Sequence, residues 1–571
     1  MRRALCSLMS VAALAAPGFA RAQDPLGGRV VPETFRPRTD VAPPAIDLGN
    51  FSGQPTPASA ETVLVRPGAV RFEGDPLPDT GAGERLKRDL VRTADQAPVS
   101  VAEIFGRVTQ LEQELSAGGY VLTRVLTPPQ KIEPGGALVL RVVNGSIDSI
   151  DVGALPERIR RPVERRLKPL VGRAPLTLAE IERALLLAGE LGGLSLRSTV
   201  ATGDTPGGVK LVLDGVFHGV TGAAGIDRLA SERVGDWGVN GSVAVNSALG
   251  FGEQVYLAYQ GDLKTVLEAD ARMRIVALGG VVPLGASGLT LGPEVVWARI
   301  RPLPLPSVPD SRNELLRATV RISAPVVRTR ETRMVAQASL ETLAQRVSAI
   351  DFGADLSADS YLALRAGIDV QHVWTGSLLL LGSASLSRGL GDIASPFEVD
   401  ADTPSTHRGA AATFTRANVL LGARVQGDLL HGSVAVRGQT AFGEPLFNSE
   451  QLSLDGPDGM SSLSPGAFAV DQGFTARGEF GTRRTLPWGL PGVAEPYVFG
   501  ALGGGEVNEA DAAPNRELRG AELGLGVRTR LGRIGPFNTP VSLNLEVGRN
   551  WINSLENSRD TRVGFLLGWS F

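Results

Sequence analysis

From Val216 to Phe571 the side chains alternate with period two, and no stretch of helical period interrupts them. Successive strand residues point to opposite faces, so this alternation reads as β-structure with one apolar and one polar face. Ala521, Leu523, Leu525 and Val527 oppose Glu522, Gly524, Gly526 and Arg528, and Val541, Leu543, Leu545 and Val547 oppose Ser542, Asn544, Glu546 and Gly548. Met334, Ala336, Ala338 and Leu340 oppose Val335, Gln337, Ser339 and Glu341, and Ala271, Met273, Ile275 and Ala277 oppose Arg272 and Arg274. The chain ends in the same style, with Val563, Phe565, Leu567, Trp569 and Phe571 against Gly564, Leu566, Gly568 and Ser570. A soluble sandwich of this size would split into domains. A membrane barrel would not, and its polar face would line a wet lumen. Arg272, Arg274, Arg317, Arg321, Arg424, Arg437, Arg528 and Arg530 are therefore expected inside. Sixteen strands, at about 22 residues for each strand and its loop, fit the region comfortably.

Composition removes other classes. A net charge of −3 with 20% charged residues suits neither a polybasic nucleic-acid binder nor an acidic disordered chain. The 70 glycines point to turns and close backbone approach, since no collagen period accompanies them. Cys6 is the single cysteine, and His218, His372, His407 and His431 are widely spaced, so neither a disulfide framework nor a local metal site is expected. There is no Gly-x-Ser-x-Gly elbow, phosphate loop or His-Glu-x-x-His, and Glu232 and Asp236 read as loop or lumen acids. No catalytic site and no cofactor are expected.

The N-terminal part divides into three. Arg2 and Arg3 precede an apolar run to Ala20, and Ala20-Arg21-Ala22 fits a signal-peptide cleavage site, so residues 1–22 read as a secretory signal. Residues 23–62 carry Pro25, Pro32, Pro37, Pro43, Pro44, Pro55 and Pro57 and read as an extended tether, with room for only a short plug helix. Residues 63–214 are α+β and repeat, as 63–145 and 146–214. In the first unit, extended Val70-Arg71-Phe72 leads to a helix from Ser100 to Ala117, with a Ser100-x-x-Glu103 capping box, and then to strands at Tyr120–Leu126 and Ala137–Val143. In the second, Ile147–Val152 is extended, Arg158–Val171 is a helix restricted by Pro162 and Pro169, and Thr177-x-x-Glu180 caps another helix. Strands at Ser195–Ala201 and Val209–Leu213 close that unit.

The run from Gly119-Tyr120-Val121-Leu122 through Thr127-Pro128-Pro129-Gln130-Lys131-Ile132 to Gly136-Ala137-Leu138-Val139-Leu140-Arg141-Val142-Val143-Asn144-Gly145 resembles the signature of a POTRA domain. The form is that of the two-partner secretion transporters, which export hemolysins and filamentous hemagglutinins. The resemblance implies two periplasmic POTRA domains (63–145 and 146–214), then a transmembrane antiparallel β-barrel of 16 strands (216–571) in the outer membrane of a Gram-negative bacterium. It implies client contact at Pro128, Pro129 and Gln130. Gln439, Glu450, Leu454-Asp455-Gly456 and Asp471-Gln472-Gly473 fall in the family's order around a long inward loop. The family's loop-tip arginine motif would fall at Met460-Ser461-Ser462-Leu463, and the aspartate it pairs with, on a Phe-x-Asp-x-Gly strand, would fall at Ala501 between Phe499 and Gly503. Both charges are absent here together, which avoids stranding either one. Serine at 461 then has no charge to lose, so its replacement by alanine is expected to be nearly neutral. Phe565, Trp569 and Phe571 are the expected barrel-assembly signal.

The implied activity is export of an unfolded exoprotein, an adhesin or hemolysin for example. POTRA domains would capture it, and it would pass through a polar lumen without nucleotide. Outer-membrane lipid and, during biogenesis, the barrel assembly machinery are the other implied partners, with no nucleic acid. An assembly factor for barrel proteins shares this plan, and a passive porin-like barrel with a periplasmic domain is the alternative from a further class.

Overall fold

The computed structural model describes residues 34–36, 45–47 and 54–570 except 206, 229–233, 236, 269, 304–309, 401, 457–458, 464–465, 467, 487–490, 511–513, 535–538 and 554–560. The signal segment, most of the tether and Phe571 lie outside the described residues. Two compact units form, one of residues 43–217 with a short turn at 285–287, the other from the rest of the chain.

The α+β unit holds the sequence repeat as two copies of one topology. Strand β1 (Ala45–Asp47) comes from the tether. The first copy is β2 (Ala69–Gly74), α1 (Ala82–Gln96), α2 (Val101–Ala117), β3 (Thr123–Leu126) and β4 (Ala137–Asn144). The second is β5 (Ile147–Asp151), α3 (Glu157–Leu167), α4 (Leu178–Gly189), β6 (Leu194–Thr202) and β7 (Val209–Phe217). In each, the last strand is central, parallel to the first and antiparallel to the second. Thr177 and Glu180 form the expected reciprocal box, whereas at Ser100 only half of it forms: the hydroxyl accepts from the Glu103 N–H at 3.1 Å while the Glu103 carboxylate pairs with Arg107. Helix α1 is an addition to the sequence reading. Its core face is only Leu86, Leu90 and small residues, too sparse to stand out among its charges. Pro162 sits inside α3 with its ring buried, and a 3-10 turn at Lys168–Leu170 ends the helix before Val171.

The barrel closes with sixteen antiparallel strands, from Val220–Asp227 to Thr561–Ser570. The twelfth, Gln472–Thr482, resumes at Arg484–Thr485 after a break at Arg483. Ala223–Asp227 pairs with Leu566–Ser570 to close the ring. Leu257, Val295, Val320, Leu340, Leu421, Leu523, Leu525 and Val547 are among the large apolar side chains exposed on the outer face. A barrel whose outer wall is apolar spans a membrane, and closure leaves no unpaired strand edge in lipid. Among the described residues no helix is long and apolar enough to cross one.

The lumen departs from the expected polar conduit on one side. Met273, Ile275 and Ala277 point inward and are buried with Val296, Ala298, Ile300, Tyr361, Phe414 and Phe447, and Phe35 packs against them. Arg272 and Arg274 are therefore outside, at the rim. Arg274 faces Arg299, Arg299 bonds Glu314, and Glu314 bonds Arg346 along the outer surface. The alternation inverts here because the two environments exchange character: loops fill the inside, and the outside is at the strand ends rather than mid-membrane. Arg317, Arg321, Arg528 and Arg530 do face inward, with partners Glu294, Thr34, Glu479 and Glu495.

Candidate functional site

The loop 441–471, between strands Leu430–Thr440 and Gln472–Thr482, turns into the lumen and is fastened at its base and at its tip. It carries a small hairpin of its own, Leu452–Ser453 paired with Ala469–Val470. Asp455 holds that hairpin by accepting from the N–H groups of Gly466 and Phe468. Leu454, Met460, Leu463, Phe468 and Val470 form its apolar side and pack on Ala501, Val507 and Leu518 of the wall.

The base is ionic. Glu450, 1% exposed, takes the Arg365 guanidinium at 2.6 Å, the Arg416 guanidinium at 2.9 Å and the Tyr361 hydroxyl at 2.5 Å. Burial alone would raise the Glu450 carboxyl, but the two guanidiniums outweigh it and hold it at about 2. Gln439 donates to the backbone oxygens of Glu450 and Asp471. Asp471, fully buried, accepts from Gln451 and from the N–H groups of Leu446 and Asn508, and so closes the two ends of the loop on each other. Gly473 lies where the wall backbone approaches closely: a Cβ there would stand 2.3 Å from the Gly504 oxygen.

The tip is different. Ser461 donates its hydroxyl to Glu546 at 2.8 Å and accepts from Arg477 at 3.0 Å. The Ser462 N–H donates to Glu522 at 3.0 Å, and its hydroxyl lies 3.1 Å from Asn550 Nδ2. Arg562 donates to the Leu463 carbonyl. Arg477 is 4% exposed, bonds Glu479 and Glu546, and lies 4.0 Å over the Phe499 ring. The register puts Arg477 beside Ala501, and Ala501 beside Glu522. The cation at this site thus comes from the Gln472–Thr482 strand, and the acids come from one and two strands beyond Ala501. Gly503 pairs with Thr475 on the same sheet. Sequence reading placed Ser461 and Ala501 here and missed Arg477, Glu522 and Glu546. The Arg477-x-Glu479 alternation was the available signal, but its register to Ala501 depends on where the loop ends.

The remaining predicted residues fall elsewhere. Gln130 uses its side-chain amide within the first α+β copy, donating to the Val139 oxygen at 2.7 Å and accepting from its N–H at 2.8 Å. This continues the sheet edge where β3 stops, and Pro128 accepts a further bond from the same amide. Pro129 is exposed beside it. Phe565 and Trp569 lie on the outer face of the last strand, Phe565 edge-on to Trp237 at 5.5 Å. A second tether contact reaches the barrel wall: the Phe35 N–H and Thr34 hydroxyl donate to Glu294, which also accepts from Tyr256. Among the described residues no group of His, Cys, Asp and Glu converges as a metal site would.

Residues 71–145 match the model of the ShlB-type POTRA domain. The whole fold is similar to CdiB from Escherichia coli, with a TM-score of 0.69 and 17% identity over 100% of this chain and 96% of that one. It is also similar to CdiB from Acinetobacter baumannii, with a TM-score of 0.61 and 15% identity over 97% and 95%. No curated protein matches at the level of sequence. The chain therefore carries a ShlB-type POTRA domain together with a sixteen-stranded barrel, and its fold is that of the two CdiB structures.

Proposed function

We propose that this protein is a two-partner secretion transporter, which takes an unfolded exoprotein in the periplasm through two POTRA domains and passes it outward through the barrel. The observation that supports it best is the lumen loop, whose tip rests on the wall through neutral groups. Among the described residues, every polar contact the tip gives the wall is a hydroxyl, an N–H or a carbonyl, so the tip can leave without taking a charge from its partner. The wall charges Arg477, Glu479 and Glu546 remain paired with one another afterwards. A channel opened by moving a loop of this kind needs no nucleotide. Capture by binding and directional bias by folding outside supply the work. The matching topology of the second α+β copy supports counting it as the second POTRA domain.

The test is deletion of residues 63–214. Export of the cognate exoprotein is lost while the barrel still inserts and shows heat-modifiable migration. A porin would keep conducting with no exported protein missing, and an assembly factor would instead deplete other barrels from the membrane.

A further inference from the structure

Helix α3 and the turn behind it, Glu157 to Arg173, carry seven cations and two carboxylates, a net charge of +5 in a chain whose total is −3. Three of the seven have work inside the second α+β copy. Arg160 donates to the Leu155 and Gly153 carbonyls, Arg166, which is buried, donates to the Leu187 carbonyl, and Arg173 pairs with Glu180. The other four, Arg158, Arg161, Arg165 and Lys168, are exposed and follow one another at steps of three, four and three residues. That spacing puts them on one stripe, on the side of the helix away from the buried Ile159, Val163 and Leu167. Among the described residues, Arg161, Arg165 and Lys168 have no side-chain partner.

Helix stability does not account for the stripe. Like charges three and four residues apart destabilise a helix. The helix dipole favours cations only in the last turn, whereas Arg158 stands in the first turn and Arg161 near the middle. A second observation is the shortness of the link to the barrel. Only His218 and Gly219 separate β7, which ends this copy at Phe217, from the first barrel strand at Val220. A link of that length spans about 10 Å when fully extended. At the end of the stripe Pro169 and Val171 are exposed, apolar groups of the kind that enter a headgroup region beside cations.

From these we infer that the outward stripe of α3 is a docking face for the anionic phospholipid headgroups of the membrane that the barrel spans. Phosphate oxygens take the Arg161 and Arg165 guanidiniums and the Lys168 ammonium, and Val171 rests among the first methylenes. Charge selects the occupant: a zwitterionic headgroup carries its own cation beside the phosphate, and an anionic one leaves the phosphate free for the protein's. The inference goes beyond the secretion reading and rests only on the barrel's place in a membrane.

The experiment uses the full-length protein in nanodiscs, with Cys6→Ser and Pro169→Cys so that one dye sits at the end of the stripe. The discs are of phosphatidylcholine alone or with phosphatidylglycerol added, and both contain a lipid whose headgroup carries a nitroxide quencher. The dye is quenched in the phosphatidylglycerol discs and not in phosphatidylcholine alone, and salt well above physiological strength removes the quenching. Arg161→Gln, Arg165→Gln and Lys168→Gln together lower the docked-to-free ratio roughly a hundredfold, at about fivefold for each cation near an anionic surface. Arg161→Lys with Arg165→Lys keeps the quenching, which separates charge from any change in helix packing. No quenching in either disc, equal quenching in both, or quenching that the triple Gln variant leaves unchanged would overturn the proposal. So would a dye that phosphatidylglycerol leaves unquenched while a polyglutamate peptide shifts its emission, which would assign the stripe to an acidic segment of a protein partner. Export is not read at any point, so failure of the secretion reading leaves these outcomes as they are.

Discussion

The base and the tip of the loop 441–471 are both buried in polar contacts, yet they are built on opposite plans. At the base the loop supplies the charge: Glu450 belongs to the loop, while Arg365 and Arg416 belong to the wall. At the tip the charges come from the wall, and the loop gives Ser461, the Ser462 N–H and the Leu463 carbonyl. Withdrawing the base separates two guanidiniums from a carboxylate in a buried site. Among the described residues, withdrawing the tip removes no charge from its neighbours, and Arg477 keeps Glu479 and Glu546. One end is a fixed anchor and the other a releasable latch, although both look equally well bonded.

That contrast can be broken by substitution, and the effects should fall in a definite order. Glu450→Ala should cost about 3–5 kcal/mol of loop anchoring, the scale of removing one partner from a buried ion pair. Protease cleavage within 441–471 should rise in the membrane-inserted protein; an unchanged digestion pattern would mean Glu450 is not the anchor. Arg477→Met should come next, at about 3 kcal/mol, because it takes a buried guanidinium from Glu546 and from Glu479, of which Glu479 still has Arg528. It should free the tip while the base stays protected. Ser461→Ala should be smaller, about 1.5 kcal/mol, the low end for a hydrogen bond to a charged group. The near-neutral effect expected from the sequence rested on Ser461 having no charge of its own to lose; its hydroxyl bonds to Glu546 and Arg477 are the source of this cost. In planar bilayers Ser461→Ala should open more often than wild type; identical opening statistics would remove the serine from the latch.

Acid separates the two ends more gently. The Glu450 carboxyl is held at about 2, below its ordinary range, so its contribution is complete above its unfolded value and fades only as the pH falls toward 2. Hydrogen exchange of the base should thus be the same at pH 7 and pH 5. Exposure of the base already at pH 5 would show that the guanidiniums do not hold that carboxyl down.

Much of this was legible in the residues. Alternation placed Leu523 and Leu525 outside and Glu522 and Glu546 inside, because in mid-membrane the two faces meet lipid and lumen without exception. It failed at Ala271–Ala277, where loop packing makes the inside apolar and the rim makes the outside polar, so the same pattern carries the opposite meaning. The POTRA signature located the first α+β copy, and within it the Gln130 amide bonds the Val139 backbone. The tip site was half legible. Ser461 and Ala501 could be found by motif order, but Arg477 and Glu546 join them only through strand register, which depends on every loop length between them.

The central claim is that the tip moves while the base stays, and crosslinking each end in turn tests it most directly. Ser462 and Asn550 lie in side-chain contact at the tip, and Asn448 and Thr406 bond each other twice at the base. With cysteines at 462 and 550, oxidation should suppress channel openings in planar bilayers, and reduction should restore them. With cysteines at 448 and 406, oxidation should leave the openings as they are. Openings that persist with the tip crosslinked, or that vanish only when the base is crosslinked, would contradict the account.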